Sequence, residues 1–298
     1  MATGVVTTDT VTGATPAAFL VHWQDRHDYG EIAAQEAAAF PDVLLGGGAL
    51  YLTPLLGDTP YVTDAAGLAA AGEGPLLGLF ADDSLPYVYD GLGDAPSLAE
   101  MTAAALEHLA ADPDGFFLMV EGARIDHGSH LDDEDRVHPE TAAFDAAVAV
   151  GVDWAADQDD VTLIVTADHE CGGMQVAETG TPGETPETSW RWGAHTNADA
   201  PIFAMGDLAA GFDGERLDGL WVNAVLAAAI EQRAVVEPHI VPLVDGWLDD
   251  IGDPVTVQTL DTDYGAGFDQ LDAMRVTADA DGVRVGIDGV FEIGRAHV

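Results

Sequence analysis

The 298-residue chain has no lysine; its nine basic residues are all arginine, set against 53 aspartates and glutamates for a formal net charge of −44. Nucleic acid and anionic membranes are held through clustered positive charge, and a chain this poor in cations offers no patch for either. The single cysteine, Cys171, excludes an internal disulfide. No apolar run reaches the roughly 18 residues that a membrane-spanning helix needs, and no signal peptide is visible. Serine is scarce too: Ser84, Ser97, Ser129 and Ser189 are the whole supply. The remainder is ordinary material for a packed domain, with 48% hydrophobic residues, which argues against disorder. Acidity spread over loops and helix faces reads as a solvated surface, suited to salty surroundings where counterions screen self-repulsion.

From residue 3 to about 232, short apolar runs alternate with Ala-rich amphipathic stretches, the rhythm of an α/β fold with a parallel sheet covered by helices. The clearest strands are 116–120 and 161–166. Both are continuously apolar, as buried parallel strands tend to be, and both run directly into polar residues. Ligands of open α/β sheets gather at the carboxyl ends of strands, so chemistry is expected at 121–130 and 168–173. Helices are expected over 16–23, 97–110, 140–157 and 220–234. Ser97 with Glu100 three residues later reads as a capping box. The segment 180–188 reads as a surface loop. Beyond a linker-like stretch at 236–254, the runs 255–258, 273–277 and 283–287 look like short strands, with an Asp-Gly turn at 281–282. The expected division is therefore 1–235 for the α/β domain, 236–254 for a linker and 255–292 for the start of a β-rich domain. The last six residues, Ile-Gly-Arg-Ala-His-Val at 293–298, read as translated adapter sequence, and His297 is left out of any site.

Three motifs stand at strand ends. Glu121-Gly-Ala-Arg-Ile-Asp126-His127-Gly-Ser-His130 follows the first clear strand, and its Asp126 and His130, four apart, share one side of a helical turn. Thr166-Ala-Asp168-His169-Glu-Cys-Gly-Gly173 repeats the device after the second strand. Trp192-Gly-Ala-His195-Thr196 adds another imidazole before a strand-like run at 201–204. Taken singly, an Asp-x-x-x-His is more often a solvated helix face and an Asp-His pair more often a turn, with about one in ten binding metal. Together, in a chain with only ten histidines, they point to a metal site. Mixed carboxylate and imidazole donors suit Zn²⁺, and all-oxygen donors suit Mg²⁺.

In this order, Glu-Gly-x-x-Ile-Asp-His…His, Thr-Ala-Asp-His and His-Thr resemble the signature of the alkaline phosphatases. Similar text extends through most of residues 3–235 and includes Leu45-Gly-Gly-Gly48, Gly78-Leu-Phe-Ala81 and Pro96-Ser-Leu-Ala-Glu-Met101. The resemblance implies a metal-dependent hydrolase of small phosphate monoesters working through a phosphoserine. Carried over residue by residue, it implies Asp126, His130 and His195 on a first Zn²⁺, Asp168 and His169 on a second, and Glu121 with Thr15 on Mg²⁺. It implies that Arg26 clamps the substrate phosphate, a task suited to a planar guanidinium. His127 is expected near the site without being a ligand. Gly13, where some relatives carry a polar or charged side chain, is expected to add no contact.

The chain departs from the family's pattern in one respect. The nucleophilic serine lies in an Asp-Ser-Ala motif upstream of the position of Thr15, and the fourteen residues before Thr15 hold no serine. Ser84 falls in the family's ordinary Gly-Leu-Phe segment and is not expected to replace it. The implied fold is thus an incomplete alkaline-phosphatase-like sheet lacking its early strands, with an open sheet edge and poor solubility. The resemblance further implies an exported protein, and homodimers are common in the family. A non-catalytic metal- or phosphate-binding protein of the same fold is the alternative.

Overall fold

A run of β-branched residues, Val5-Val6-Thr7-Thr8, favours extended backbone and forms the middle of the first strand. In the computed structural model this strand, β1 (Ala2–Thr10), leads into α1 (Ala14–Leu20), α2 (Tyr29–Ala38), β2 (Val43–Gly47), α3 (Ala49–Leu52), α4 (Ala65–Ala69) and β3 (Leu76–Leu79). There follow α5 (Leu98–Leu109), β4 (Phe116–Glu121), α6 (Arg124–Ser129), α7 (Glu134–Ala155) and β5 (Thr162–Thr166). The structure describes residues 1–158, 160–178, 186–213, 217 and 219–231, together with the backbone of three strands between 258 and 290.

β1 to β4 form one parallel sheet in the order β3-β2-β1-β4, flanked by helices. Successive side chains of a strand point to opposite faces, and both faces of this sheet are buried. Val6, Val43, Leu45 and Leu76 pack on one face with Met101, Ala105 and Leu109 of α5 and Ala147 of α7. Val5, Leu44, Leu77 and Met119 pack on the other with Ala33 of α2 and Leu52 of α3. Thr7 of β1 lies beside Glu121 of β4 in the parallel register, so the carboxyl ends of both strands open toward one place.

Three elements differ from expectation. The run at 161–166 is a strand, but β5 pairs antiparallel with β10 (Ile202–Gly206) and is only half-buried. A continuously apolar run fixes neither the direction of its partner nor the depth of its burial. The helix expected from residue 140 starts at Glu134, because Asp133 caps it by accepting a hydrogen bond from the Arg136 backbone N–H at 3.2 Å. Pro139 interrupts one backbone bond in the second turn without ending the helix. α1 stops at Leu20, leaving His22 exposed beyond it. The capping box on α5, by contrast, is present in full: the Ser97 N–H donates to Glu100 Oε2 at 2.8 Å, and the Glu100 N–H donates to Ser97 Oγ at 3.2 Å.

After β5 come three short strands, β6 (Glu170–Cys171), β7 (Gln175–Glu178) and β8 (Glu187–Ser189), then β9 (His195–Thr196) and β10. β6 pairs with β9 and β7 with β8, both antiparallel. Most of the loop expected at 180–188 lies outside the described residues. Residues 1–212 form one compact unit and 213–298 a second. The second contains α8 (Gly219–Ile230) and an antiparallel sheet of β11 (Gln258–Leu260), β12 (Gln270–Asp279) and β13 (Gly282–Val290). The linker expected at 236–254, the Asp-Gly turn in part and the terminal segment 293–298 lie outside the described residues. Among the described residues, no helix is long and apolar enough to cross a membrane.

Candidate metal centre

Asp126 sits in the first turn of α6 and His130 is the residue that closes that helix, so the four-residue spacing brings both to one side. His195 arrives from a separate part of the chain, on β9, where it stands opposite Cys171 of β6. Directly opposed residues of an antiparallel pair share a face, which turns the imidazole and the thiol the same way. The Thr196 hydroxyl donates to Glu170, and Glu170 also accepts from the Gly173 N–H at 2.8 Å, bracing this small ladder.

The donor atoms converge. His130 Nε2 and His195 Nε2 are 2.9 Å apart, Asp126 Oδ2 is 3.6 Å from His130 Nε2, and Asp126 Oδ1 is 3.4 Å from His195 Nε2. A tetrahedral zinc with ligands at about 2.0–2.1 Å holds neighbouring donors about 3.3 Å apart, which matches this spacing. His130 Nδ1–H donates to the Gly193 carbonyl at 3.0 Å, which leaves the Nε2 lone pair facing the other donors. Asp126 Oδ1 is buried without a hydrogen-bond partner. Cys171 belongs to the same group: its sulfur lies within 4.8 Å of a donor atom from each of Asp126, His130 and His195. Burial, with hydrogen bonding to Asp126, pushes the thiol pKa far up.

The second pair adjoins the first. The His169 and His195 rings stack with centroids 3.4 Å apart, and His169 Nε2 lies 3.1 Å from Asp168 Oδ2. Asp168 is 73% exposed on its side chain, whereas His169 Nδ1 is buried without a partner. Burial lowers the pKa of His195, and the neighbouring His169 lowers it further, which favours the neutral, ligating imidazole.

A third cluster has oxygen donors only. Glu121, at the end of β4, accepts from the Thr7 hydroxyl at 2.6 Å and also hydrogen-bonds the Thr15 hydroxyl from the first turn of α1. Burial raises the Glu121 pKa, opposed by those two hydrogen bonds. Asp9 joins the cluster, with Oδ1 accepting from Ser84 Oγ at 2.7 Å and Oδ2 3.8 Å from His127 Nε2. Burial lowers the His127 pKa, and its Nδ1 lies 3.0 Å from Arg124 Nη1. Arg124 in turn stacks on Tyr87, with Cζ 3.7 Å from the ring centroid. Arg26 is exposed, on irregular backbone between α1 and α2. Its charge acts on the Tyr29 hydroxyl together with those of Asp9 and Asp83.

The structure thus brings Asp126, His130, His195 and His169 together, with Asp168 against His169, and sets Glu121 with Thr15. Cys171 and Asp9 were not singled out in the sequence. No spacing rule would have found Cys171, whose place beside Asp126 and His195 follows from the pairing of β6 with β9. Ser84, set aside in the sequence, stands at the edge of the oxygen cluster.

The family model described as alkaline phosphatase matches residues 56–188. The chain is 34% identical to streptomycin-6-phosphate phosphatase of Streptomyces griseus over 77% of its own length and 68% of that protein's. It covers only 42% of alkaline phosphatase 3 of Bacillus subtilis, at 36% identity. Among solved structures, the cold-active alkaline phosphatase of Shewanella superposes with a TM-score of 0.71 at 28% identity, covering 77% of this chain and 75% of that one. A histidine-to-glutamate variant of the alkaline phosphatase from the Antarctic bacterium TAB5, solved with Mg bound in its M3 site, superposes with a TM-score of 0.62 at 29% identity over 71% of this chain and 67% of that one. With its parallel sheet, its motifs in order and these relatives, the chain belongs to the alkaline phosphatase family.

Proposed function

We propose that this site serves the metal-dependent hydrolysis of phosphate monoesters, with Asp126, His130 and His195 on a first zinc, Asp168 and His169 on a second, and Glu121 and Thr15 on magnesium. The observation that carries the reading is the three-way approach of Asp126, His130 and His195 at spacings a tetrahedral ion would impose. When bound, such ions supply Lewis acidity and charge stabilisation for in-line displacement at phosphorus. The chain's own residues do the rest. His130 is held in one tautomer by Gly193, Glu121 is steadied by two hydroxyls, and Arg26 offers a guanidinium fork to the non-bridging oxygens of the phosphate.

In the family's reaction a serine oxygen displaces the alcohol from phosphorus, and water then releases phosphate from the phosphoserine. None of Ser84, Ser97, Ser129 and Ser189 lies in the nucleophile's motif. The reading therefore assigns to this chain the holding of metal and phosphate, not the nucleophile. The second reading is a non-catalytic metal- or phosphate-binding protein of the same fold. The acidity fits a salt-rich environment, and the family resemblance fits export.

Turnover of p-nitrophenyl phosphate by the completed protein, in which this site is joined to the family's Asp-Ser-Ala motif, is expected to collapse on chelation and on Asp168→Ala. Full activity after either treatment refutes the zinc assignment. Binding of zinc and inorganic phosphate with no turnover at any metal loading supports the second reading.

A further inference from the structure

Gly13 closes the turn between β1 and α1 with φ −62° and ψ 165°, a conformation open to any residue. Its lack of a side chain therefore has no conformational purpose. Space gives one: a Cβ at this position would lie 2.5 Å from Asp9 Oδ2 and 3.0 Å from the Thr10 carbonyl oxygen. The Gly13 N–H donates to that same Thr10 carbonyl at 2.8 Å, fixing how tightly the turn folds back over Asp9. The Asp9 carboxylate thus occupies the volume that a side chain at 13 would fill.

Asp9 is also aimed. Ser84 Oγ donates to one carboxylate oxygen at 2.7 Å, and the other faces His127 Nε2 at 3.8 Å. Asp9 stands beside Glu121 through Thr7: the Asp9 N–H donates to Thr7 Oγ1 at 2.9 Å, and that hydroxyl donates to Glu121 Oε2 at 2.6 Å. The cationic groups around this pair are otherwise engaged. Arg124 lies on the Tyr87 ring and its Nη1 is 3.0 Å from His127 Nδ1. Two carboxylates and two hydroxyls, all oxygen, are a donor set for a hard divalent ion such as Mg²⁺.

We infer that Asp9 is a supporting carboxylate of the magnesium site, acting on the ion directly or through its bound water, and that Gly13 is present to admit it. The inference rests on the reading of Glu121 and Thr15 as magnesium donors. Gly13 and Asp9 then form one unit: the carboxylate has its volume only because the position four residues along the chain has been emptied.

The test measures binding of Mn²⁺, as a paramagnetic stand-in for Mg²⁺, to the full 298-residue chain by electron paramagnetic resonance, with zinc content counted in parallel by mass spectrometry. Asp9→Asn is expected to weaken Mn²⁺ binding by about 10- to 100-fold, the range for loss of a supporting metal-site group, with zinc content unchanged. The double variant Asp9→Ala/Gly13→Asp returns a carboxylate to the same volume and is expected to restore binding to within a few-fold. Asp9→Asn is nearly isosteric, and circular dichroism checks that each variant folds. If Asp9→Asn binds like wild type while Glu121→Gln loses the ion, Asp9 is refuted and the magnesium reading stands. If Glu121→Gln also binds like wild type, or wild type binds no Mn²⁺, the magnesium reading falls and this inference with it.

Discussion

Glu36 gives a stability prediction with a definite sign. It lies on α2, 1% exposed, and neither carboxylate oxygen has a hydrogen-bond partner. Burial pushes its pKa from 4.5 up to about 8. The folded state therefore keeps the proton that the unfolded chain releases between those two values. Stability is unaffected by this group below about pH 4.5, falls as pH rises from 4.5 to 8, and levels off above 8. Each pKa unit is worth about 1.4 kcal/mol, so the full displacement corresponds to about 5 kcal/mol as an upper bound, and roughly 3 kcal/mol of it is reached by pH 7. Glu36→Gln removes the titration and keeps the shape. Chemical denaturation of both proteins at pH 5 and pH 8 isolates the effect from the many other carboxylates. The variant is expected to match wild type at pH 5 and exceed it by several kcal/mol at pH 8. A difference between the two proteins that stays constant across that range would refute the reasoning.

Two further predictions concern the scaffold. Ser97→Ala removes the capping box of α5 and is expected to cost about 1 kcal/mol in denaturant titration; no measurable change would mean that the α5 terminus is held by packing alone. The net charge of −44 predicts a melting temperature that rises steeply between low and molar salt as counterions screen repulsion, and a flat series would remove the salt-rich environment from the proposal.

What could be read in the sequence was whatever depends on neighbours along the chain. Asp126 and His130 share a helical turn, and β4 ends where its apolar run ends, so the place of the first motif was legible. The capping box was legible for the same reason. What could not be read depends on the meeting of distant segments. β5 takes an antiparallel partner only because residues 202–206 return beside it. The helix expected from residue 140 begins earlier, and only the Asp133 cap shows it. Asp9 was invisible as a site residue because its neighbour Gly13 matters through the volume it leaves empty, which no spacing rule reports. Cys171 was weighed only for disulfides, and its place beside Asp126 follows from pairing with His195 across the β6–β9 ladder.

One consequence for substrate binding follows from charge. Asp9, Glu121, Asp126 and Asp168 put four carboxyl groups around the site in a protein that is already strongly acidic. Without metal this region repels a phosphate dianion, and the exposed Arg26 is the only fixed positive charge assigned to substrate. Two zinc ions and one magnesium would bring six positive charges, enough to invert the local potential however negative the rest of the surface is. Phosphate affinity should therefore depend on metal far more than on Arg26. In calorimetric titrations with inorganic phosphate, the chelated chain is expected to bind nothing measurable, the metal-loaded chain to bind, and Arg26→Ala in the loaded chain to weaken binding by about ten-fold to a hundred-fold, the loss of a charge-assisted bidentate contact of about 1.5–3 kcal/mol. Equal phosphate affinity with and without metal would show that the anion is held elsewhere, since no arrangement of these side chains alone could draw it into so negative a place.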